Sequence, residues 1–517
     1  MCMRAVCAGG KWKRTGVRMN EGKYLRIHPG DSVMVALEPL AAGRTVTVDG
    51  RRLTLREDVP AGHKFALRDH RAGEKVIKYG YPIGRATQDI PAGAPVHTHN
   101  LASALEKALD YTYHPQISPP PRVVGLPLTF KGYLRENGDA GIRNEIWIIN
   151  TVGCVNKTAE TLARLADERF RGDGVDGVFH FAHPYGCSQL GGDLAATQRI
   201  LSGLVGHPNA AGVLVLGLGC ENNHLEVFRP LLGEMPPERV KFLNAQEAAD
   251  EIEAGMSLLA ELVQYARRFE RRDIPVAGLR VGLKCGGSDG FSGITANPLV
   301  GLVSDYLVAA GGTAVLTEVP EMFGAETILM NRAESLQTFA KIVSLINDFK
   351  TYYVSHGQEV YENPSPGNKA GGITTLEEKS LGCIQKGGGS PVTDVVEYGG
   401  RVRRPGLNLL QGPGNDMVSV TALAAAGAQL ILFTTGRGTP LGGPVPTLKI
   451  ATNSALFDRK KNWLDFNAGA LLEGGSMSAL AGELYRLVVA TASGEYYAQN
   501  ERSGYREIAI FKDGVIL

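Results

Sequence analysis

The chain has 517 residues, 44% hydrophobic and 21% charged, with a formal net charge of +1. That length predicts two to four domains, and the near-neutral charge excludes an electrostatic case for nucleic acid or an anionic membrane as partner. Seven cysteines are too few and too scattered for a disulfide framework, which points to a reducing, cytoplasmic setting. No run of about 20 apolar residues could span a bilayer.

The first twenty residues, MCMRAVCAGGKWKRTGVRMN, are basic and lack the apolar core of a secretory signal. They read as a disordered tail (1–20), or as an early start with Met19 the true first residue. From 21 to 108 the chain repeats itself weakly. LEPLAAGRTVTV (37–48), REDVPAGHKFAL (56–67) and TQDIPAGAPVHT (87–98) each place an Ala-Gly turn before an alternating strand. This predicts a small β-rich module, followed by a short helix, NLASALEKAL. Residues 109–130 include YHPQISPPPRVVGLP, whose prolines predict a stiff linker.

From 131 to 274 apolar strands alternate with helices. EIWIINTVGC, VDGVFHFAHPYGC, AAGVLVLGLGCENN and RVKFLNA read as strands; NKTAETLARLADERF, DLAATQRILSGLV and AADEIEAGMSLLAELVQYARRFER read as helices. A further unit, 275–517, opens with LRVGLKCGGSDG. It is interrupted by a glycine- and charge-rich middle (357–405) and resumes with VSVTALAAAGAQLILFTTGRG and PTLKIATNS. The fold class predicted is α/β, with mostly parallel sheets covered on both faces behind a small β domain.

In open α/β sheets ligands bind at the carboxyl ends of strands. Four such loops carry a cysteine here: Cys154, Cys187, Cys220 and Cys285. A small residue suits a tight loop; alternatively some of the four line a site or hold a metal. Their spacing matches no ferredoxin or zinc-finger pattern, so it gives an iron–sulfur cluster little support. The same loops gather Arg143 and Asn144, then His183 and Gln189, then Glu221, Asn222 and Asn223. Further on come Glu318 and Glu321, Glu377, Glu378 and Lys379, and Thr434, Thr435 and Arg437. Together these suit a small polyhydroxylated anion, with cations for a carboxylate and amides for hydroxyls. No glycine-rich phosphate-binding fingerprint is present, so a nucleotide is not expected.

In VHTHN, His97 and His99 fall one residue apart on a predicted strand. They would share a face with Cβ atoms about 7 Å apart. His63 begins the strand of the preceding repeat and could stand beside them. The three read as a metal site with open positions, or as solvated histidines at a strand end.

DSVMVALEPLAAG, VPAGHKFAL, VIKYGYPIGRAT and VHTHN resemble the small SAF-type β-clip domain that begins sugar-acid dehydratases. GYLRENGDAGIRNEIWI, HPYGCSQLGGD, GLGCENN, LKCGGSDGFSGITANPLVG, TEVPEMFGAE and TTLEEKSLGCIQKGG resemble the second and third domains of the altronate/galactarate dehydratase family. LILFTTGRGTPLGGPVPTLKIATNS with WLDFNAG is most similar to the altronate branch. The resemblance covers about residue 22 to the C-terminus. It implies a hydro-lyase that converts D-altronate to 2-dehydro-3-deoxy-D-gluconate in hexuronate catabolism. It also implies an Fe(2+) or Mn(2+) ion rather than an iron–sulfur cluster; a small-molecule sugar-acid substrate and a homo-oligomer are expected. Galactarate, glucarate or a sulfonated hydroxy acid as substrate, and a sugar-acid-binding protein without catalysis, remain open.

On that reading His97 and His99 hold the metal, with His63 as a third contributor. Lys64, His183 and Lys379 are acid/base candidates. A lysine in that role needs its pKa lowered by burial or a neighbouring cation. Arg143, Asn144, Asn222 and Arg437 are candidates for holding the substrate.

Overall fold

The computed structural model describes residues 23–105, 109–119 and 121–517. The expected tail at 1–20 lies outside the described residues. Nine short strands make the N-terminal domain: β1 (Tyr24–Leu25), β2 (Val33–Ala36), β3 (Thr45–Val48), β4 (Arg51–Thr54), β5 (Lys64–Ala66), β6 (Lys75–Lys78), β7 (Tyr81–Ala86), β8 (Pro95–Val96) and β9 (Leu101–Ala102). They form sheets β1-β2-β5-β8 and β6-β7-β9 and a β3-β4 hairpin.

The repeats have a common device. Asp58 accepts from the Ala42 amide at 2.7 Å, Asp69 from Ala92 at 2.7 Å and Asp89 from Ala72 at 2.8 Å. Each carboxylate ties an Ala-Gly turn to another repeat, and the turn glycines Gly43, Gly73 and Gly93 take positive φ, which suits glycine. The expected helix NLASALEKAL does not begin at its N-terminal end. Leu101 and Ala102 pair with Ala86 and Arg85 as β9, and residues 106–108 lie outside the described residues.

The linker is strapped down. Asn347 holds Leu109 through both backbone groups, the Tyr113 hydroxyl donates to Ala333 O at 2.6 Å, and the Gln116 amide donates to Asn331 O at 2.7 Å.

The second unit begins with β10 (Thr129–Leu134) and β11 (Ala140–Gly141), followed by β12 (Glu145–Asn150), α1 (Asn156–Phe170), β13 (Gly177–His180), α2 (Gly191–Val205) and β14 (Ala210–Gly217). Then come α3 (Leu225–Phe228), β15 (Val240–Asn244), α4 (Glu251–Ala266) and β16 (Arg272–Pro275). Strands β12 to β15 form a parallel sheet in the order β13-β12-β14-β15, while β16 returns to pair with β10.

The third unit carries β17 (Arg280–Cys285), α5 (Ala296–Ala309), β18 (Thr313–Leu316), α6 (Glu326–Met330), α7 (Leu336–Ser355), α8 (Pro366–Ala370), α9 (Leu376–Cys383), β19 (Val392–Val396) and β20 (Gly406–Leu410). It closes with α10 (Asp416–Ala425), β21 (Leu430–Thr435), β22 (Thr447–Ala451), α11 (Ser454–Arg459), β23 (Phe466–Asn467), α12 (Met477–Ala492) and α13 (Gln499–Arg502). Its seven strands are parallel, in the order β19-β20-β18-β17-β21-β22-β23. Leu407, Leu409, Leu430 and Leu432 on β20 and β21 are wholly buried, as continuous apolar strands under two helical layers require.

In both sheets the first strand sits between later ones, β12 between β13 and β14, and β17 between β18 and β21. Each therefore has a topological switch point at the carboxyl end of that strand. The two units pack α2 against α10. Gly203 and Ala425, near the carboxyl ends of these helices, meet so closely that a Cβ at 203 would strike the Ala425 carbonyl. Asn209 and Gln429, just before β14 and β21, are joined by a 2.9 Å hydrogen bond.

Candidate active site

The N-terminal domain docks on the switch point of the third unit. Its Gly62 carbonyl lies against Gly290 and Gly372, where neither glycine could carry a side chain. Beneath that contact three charges are buried together. Lys64 Nζ donates to Glu378 Oε2 at 2.8 Å, Thr374 Oγ1 at 2.6 Å and Gly372 O at 3.2 Å. Lys78 Nζ donates to the other carboxylate oxygen, Glu378 Oε1, at 2.7 Å.

One carboxylate thus serves two ammonium groups, each no more than 2% exposed at the side chain. Burial and the Lys78 charge outweigh the pull of Glu378 on Lys64, whose pKa falls to about 8. Lys78 is driven upward because Glu378, with help from Tyr79, overcomes its burial. Glu378 is held well below the usual carboxylate range, since the two lysines overcome its burial.

A small cavity adjoins this triad, lined among others by Lys78, Asp289, Glu378, Lys379 and Cys383. Its free room is on the order of one water. Asp289 is buried at the loop after β17. It accepts from Thr452 Oγ1 at 2.9 Å and from Ser292 Oγ and the Phe291 amide at 3.1 Å each. Desolvation outweighs those bonds and raises its pKa to about 6.

Below the cavity the charges alternate. Lys379 pairs with Glu321 at 2.7 Å, Lys386 with Glu318 at 2.9 Å, and Lys284 with Glu318 and with Asp416. Glu318 adopts a left-handed backbone (φ 72°), a strained conformation for a non-glycine residue, which aims its carboxylate between Lys284 and Lys386. Cys383 Sγ donates to Glu321 Oε2 at 3.0 Å.

Several residues expected from the sequence meet here. Lys64, Lys379, His63 and His97 lie at this seam, and Arg437 stands exposed over Gly287 at its rim. Others do not come to it. Arg143 lies at the amino end of β12, where it grips Glu501 with two hydrogen bonds of 2.8 and 2.9 Å. Asn144 is buried beside it and donates to Gly174 O and Ala266 O. Both are structural, because the amino end of a strand is the end away from the crevice. His183 and Asn222 are at the switch point of the second unit. The His183 Nε2 meets Asn150 O at 2.9 Å, and Asn222 accepts from the Ser188 amide at 2.8 Å.

The strand argument for His97 and His99 does not hold, because β8 ends at Val96. Residues 97–100 form a turn in which Asn100 Oδ1 accepts from the His97 amide. His99 is exposed on that turn. His63 and His97 do meet, edge to face, with centroids 5.0 Å apart. Burial, with Lys64 and His63 adding to it, holds His97 neutral, with a pKa of about 4. Thr374 Oγ1, which accepts from Lys64, also lies within hydrogen-bond distance of His97 Nδ1, at 2.8 Å. Among the described residues no three histidine, cysteine, aspartate or glutamate side chains are grouped to hold one metal ion. The expected three-histidine set does not fit a metal in this geometry.

Comparison with known proteins places this architecture. Residues 22–104 match the altronate/galactarate dehydratase SAF domain, 132–267 the D-galactarate dehydratase/altronate hydrolase second domain, and 276–516 the D-galactarate/altronate dehydratase C-terminal domain. The altronate dehydratase of Escherichia coli K12 is 53% identical over 496 residues, 96% of this chain and 100% of that one. The chain belongs to the altronate/galactarate dehydratase family. The altronate dehydratase of Bacillus subtilis 168 is 52% identical over 96% of this chain and 99% of its own. The L-threo-forming galactarate dehydratase of Escherichia coli K12 is 33% identical over 94% of this chain and 96% of its own. As a member of this dehydratase family the chain is a hydro-lyase, and the seam described above joins its SAF and C-terminal domains. Among the described residues no helix is long and apolar enough to cross a membrane.

Sequence reasoning passed over Asp289, Thr374, Lys284, Lys386 and Cys383, and gave Glu378 no distinct role. A signal for Glu378 was present: Lys64 and Lys78 lie on short strands of a small domain, and an inward lysine needs a carboxylate partner. Residues 357–405, read as an interruption, supply Thr374, Glu378, Lys379, Cys383 and Lys386 to the site.

Proposed function

We propose that this chain dehydrates D-altronate to 2-dehydro-3-deoxy-D-gluconate. The observation that carries the reading is the 52–53% identity, over nearly whole chains, to altronate dehydratases. In this reaction the C2–H and C3–OH bonds break, water leaves, and the resulting enol tautomerises to the 2-keto acid.

The seam offers a proton acceptor and a proton donor matched to these steps. Asp289 and Lys64 both lie against the Gly371–Gly372 segment. With pKa values near 6 and 8, Asp289 is ionised and Lys64 protonated at neutral pH, a pairing set by their environments. Asp289 takes the C2 proton, and Lys64 protonates the departing C3 hydroxyl. Lys379 and Arg437 offer positive charge for the substrate carboxylate, where negative charge grows as C2 loses its proton. The closed seam has room for little more than a water, so a hexonate enters only when the SAF domain shifts from the Gly290–Gly372 contact.

An Fe(2+) or Mn(2+) requirement rests on the resemblance alone, and the proton steps are assigned to the chain's own side chains. The test is turnover of D-altronate by Asp289→Asn and Lys64→Met. Activity near that of the unaltered chain in either variant would refute that variant's assignment.

A further inference from the structure

Two buried cysteines at the seam take no part in the proton steps assigned above. Cys285 closes β17, and Cys383 closes α9, the helix that carries Glu378 and Lys379. Both are buried and unbridged, and Cys383 lines the cavity. The backbone holds their two elements together. Gly293, in the loop after β17, comes so near Gly382 that a Cβ at 293 would stand 2.9 Å from the Gly382 Cα. Asn297, in the first turn of α5, spans the pair. Its Nδ2 donates to Gly382 O at 3.0 Å and lies 3.9 Å from Cys285 Sγ. Across this contact the two cysteine side chains hydrogen-bond to each other.

Their surroundings set them apart. Cys285 Sγ stands 2.8 Å from Ser288 Oγ. The hydrogen bond from Cys383, aided by the Lys386 charge and by Ser288, overcomes burial and holds the Cys285 pKa well below the usual thiol range. Cys383 is pushed the other way by its bond to Cys285 and by burial, so it stays a thiol. Its proton is shared between the Cys285 sulfur and Glu321 Oε2, 3.0 Å away. A thiolate beside a thiol is the pairing in which a first oxidation is resolved within the protein. The cavity has room on the order of one water, and hydrogen peroxide is little larger.

We propose that Cys285 and Cys383 form a peroxide-responsive pair whose disulfide shuts the dehydratase site. The Cys285 thiolate attacks one peroxide oxygen and the O–O bond breaks. The sulfur becomes a sulfenic acid, and the departing hydroxide takes a proton from solvent and leaves as water. The Cys383 sulfur then attacks the sulfenic sulfur. The S–O bond breaks, and the second hydroxide leaves as water with the Cys383 proton. The two sulfurs have lost two electrons in all, and peroxide has become two waters. To bond, the sulfurs must close from hydrogen-bond contact to bonding distance. That draws Cys383 off Glu321 and pulls the end of α9 toward β17, displacing Glu378 and Lys379 relative to the loop that holds Asp289.

The inference rests on the altronate reading only for its activity readout, because the bond itself is read by mass. The full chain is treated with hydrogen peroxide, its remaining thiols are alkylated, and its peptides are mapped without reduction. Turnover of D-altronate is followed in parallel, with manganese supplied in place of iron so that iron oxidation does not contribute. A linked Cys285–Cys383 peptide is expected, lighter by two hydrogens than the separate peptides. Turnover should fall about 10²-fold, the cost of a misplaced catalytic group, and dithiothreitol should restore it. Cys285→Ser should form no linked peptide and should keep its own starting rate through the treatment.

Oxidation confined to the exposed Cys154, Cys187 and Cys220, with Cys285 and Cys383 still reduced, would overturn the proposal. A Cys285–Cys383 bond that leaves turnover intact would also overturn it. A linked peptide in a chain that turns over no hexonate before treatment would leave the pair standing and remove the altronate reading.

Discussion

The two switch points belong to one molecule, yet they solve the problem of a polar crevice in opposite ways. At the C-terminal domain the crevice is filled with charge and sealed by the SAF domain: two lysines share Glu378, Lys379 pairs with Glu321, and Lys386 pairs with Glu318. At the second domain three thiols are exposed, and among the described residues one polar atom each of Asn150, Gln189 and Asn223 has no partner. The contrast shows that strand order fixes where a site can form, while loop residues decide whether its polar groups are paired and sealed or left exposed.

Breaking the sealed side should have the largest effect. Glu378→Gln strands two buried ammonium groups, and a loss of about 3–5 kcal/mol is expected in denaturant unfolding. Adding Lys78→Met should recover part of it, since the second change removes one of the stranded charges. An unaltered midpoint in Glu378→Gln would mean that the triad is not buried as described.

Asp289→Asn separates activity from stability. A fall in kcat/KM of about 10²–10⁴ is expected for loss of a proton-transfer group. Stability should move the other way. The folded pKa of about 6 lies above the unfolded value of 3.8, so the ionised carboxylate costs stability as pH rises through 6. At pH 7 the amide removes that cost, and the variant should be as stable or more so, by up to about 3 kcal/mol. Parallel loss of activity and stability would contradict this account.

Arg143→Lys tests the assignment of Arg143 to structure. Losing the two-pronged contact with Glu501 should cost about 2 kcal/mol in unfolding with KM for altronate unchanged. A raised KM at full stability would restore Arg143 to the substrate.

The pH profile of kcat/KM should be bell-shaped, falling below about 6 as Asp289 protonates and above about 8 as Lys64 loses its proton. A flat profile from pH 5 to about 9 would remove both roles. At the second domain the smallest effect is expected. Cys187→Ser should shift stability by less than about 0.5 kcal/mol, because the residue is exposed.

The sequence made the α/β alternation legible because buried parallel strands are continuous apolar runs. The Ala-Gly repeats were legible because their turns need positive φ. What stayed hidden depends on partners far apart in the chain. Lys64 and Glu378 are separated by 314 residues, and nothing local in either stretch names the other. His97 and His99 misled through period two, because the Asn100 cap that turns the chain was read as the continuation of a strand. Arg143 looked like an anion clamp by residue type, yet it sits at the wrong end of its strand.

The most direct test of the central claim is 2-keto-3-deoxy acid formation from D-altronate by the purified full chain. It should be run against galactarate, glucarate, mannonate and gluconate, with and without added iron or manganese. Turnover confined to altronate is the predicted result. Preference for a diacid, or no product from altronate under any loading, would contradict the proposed function.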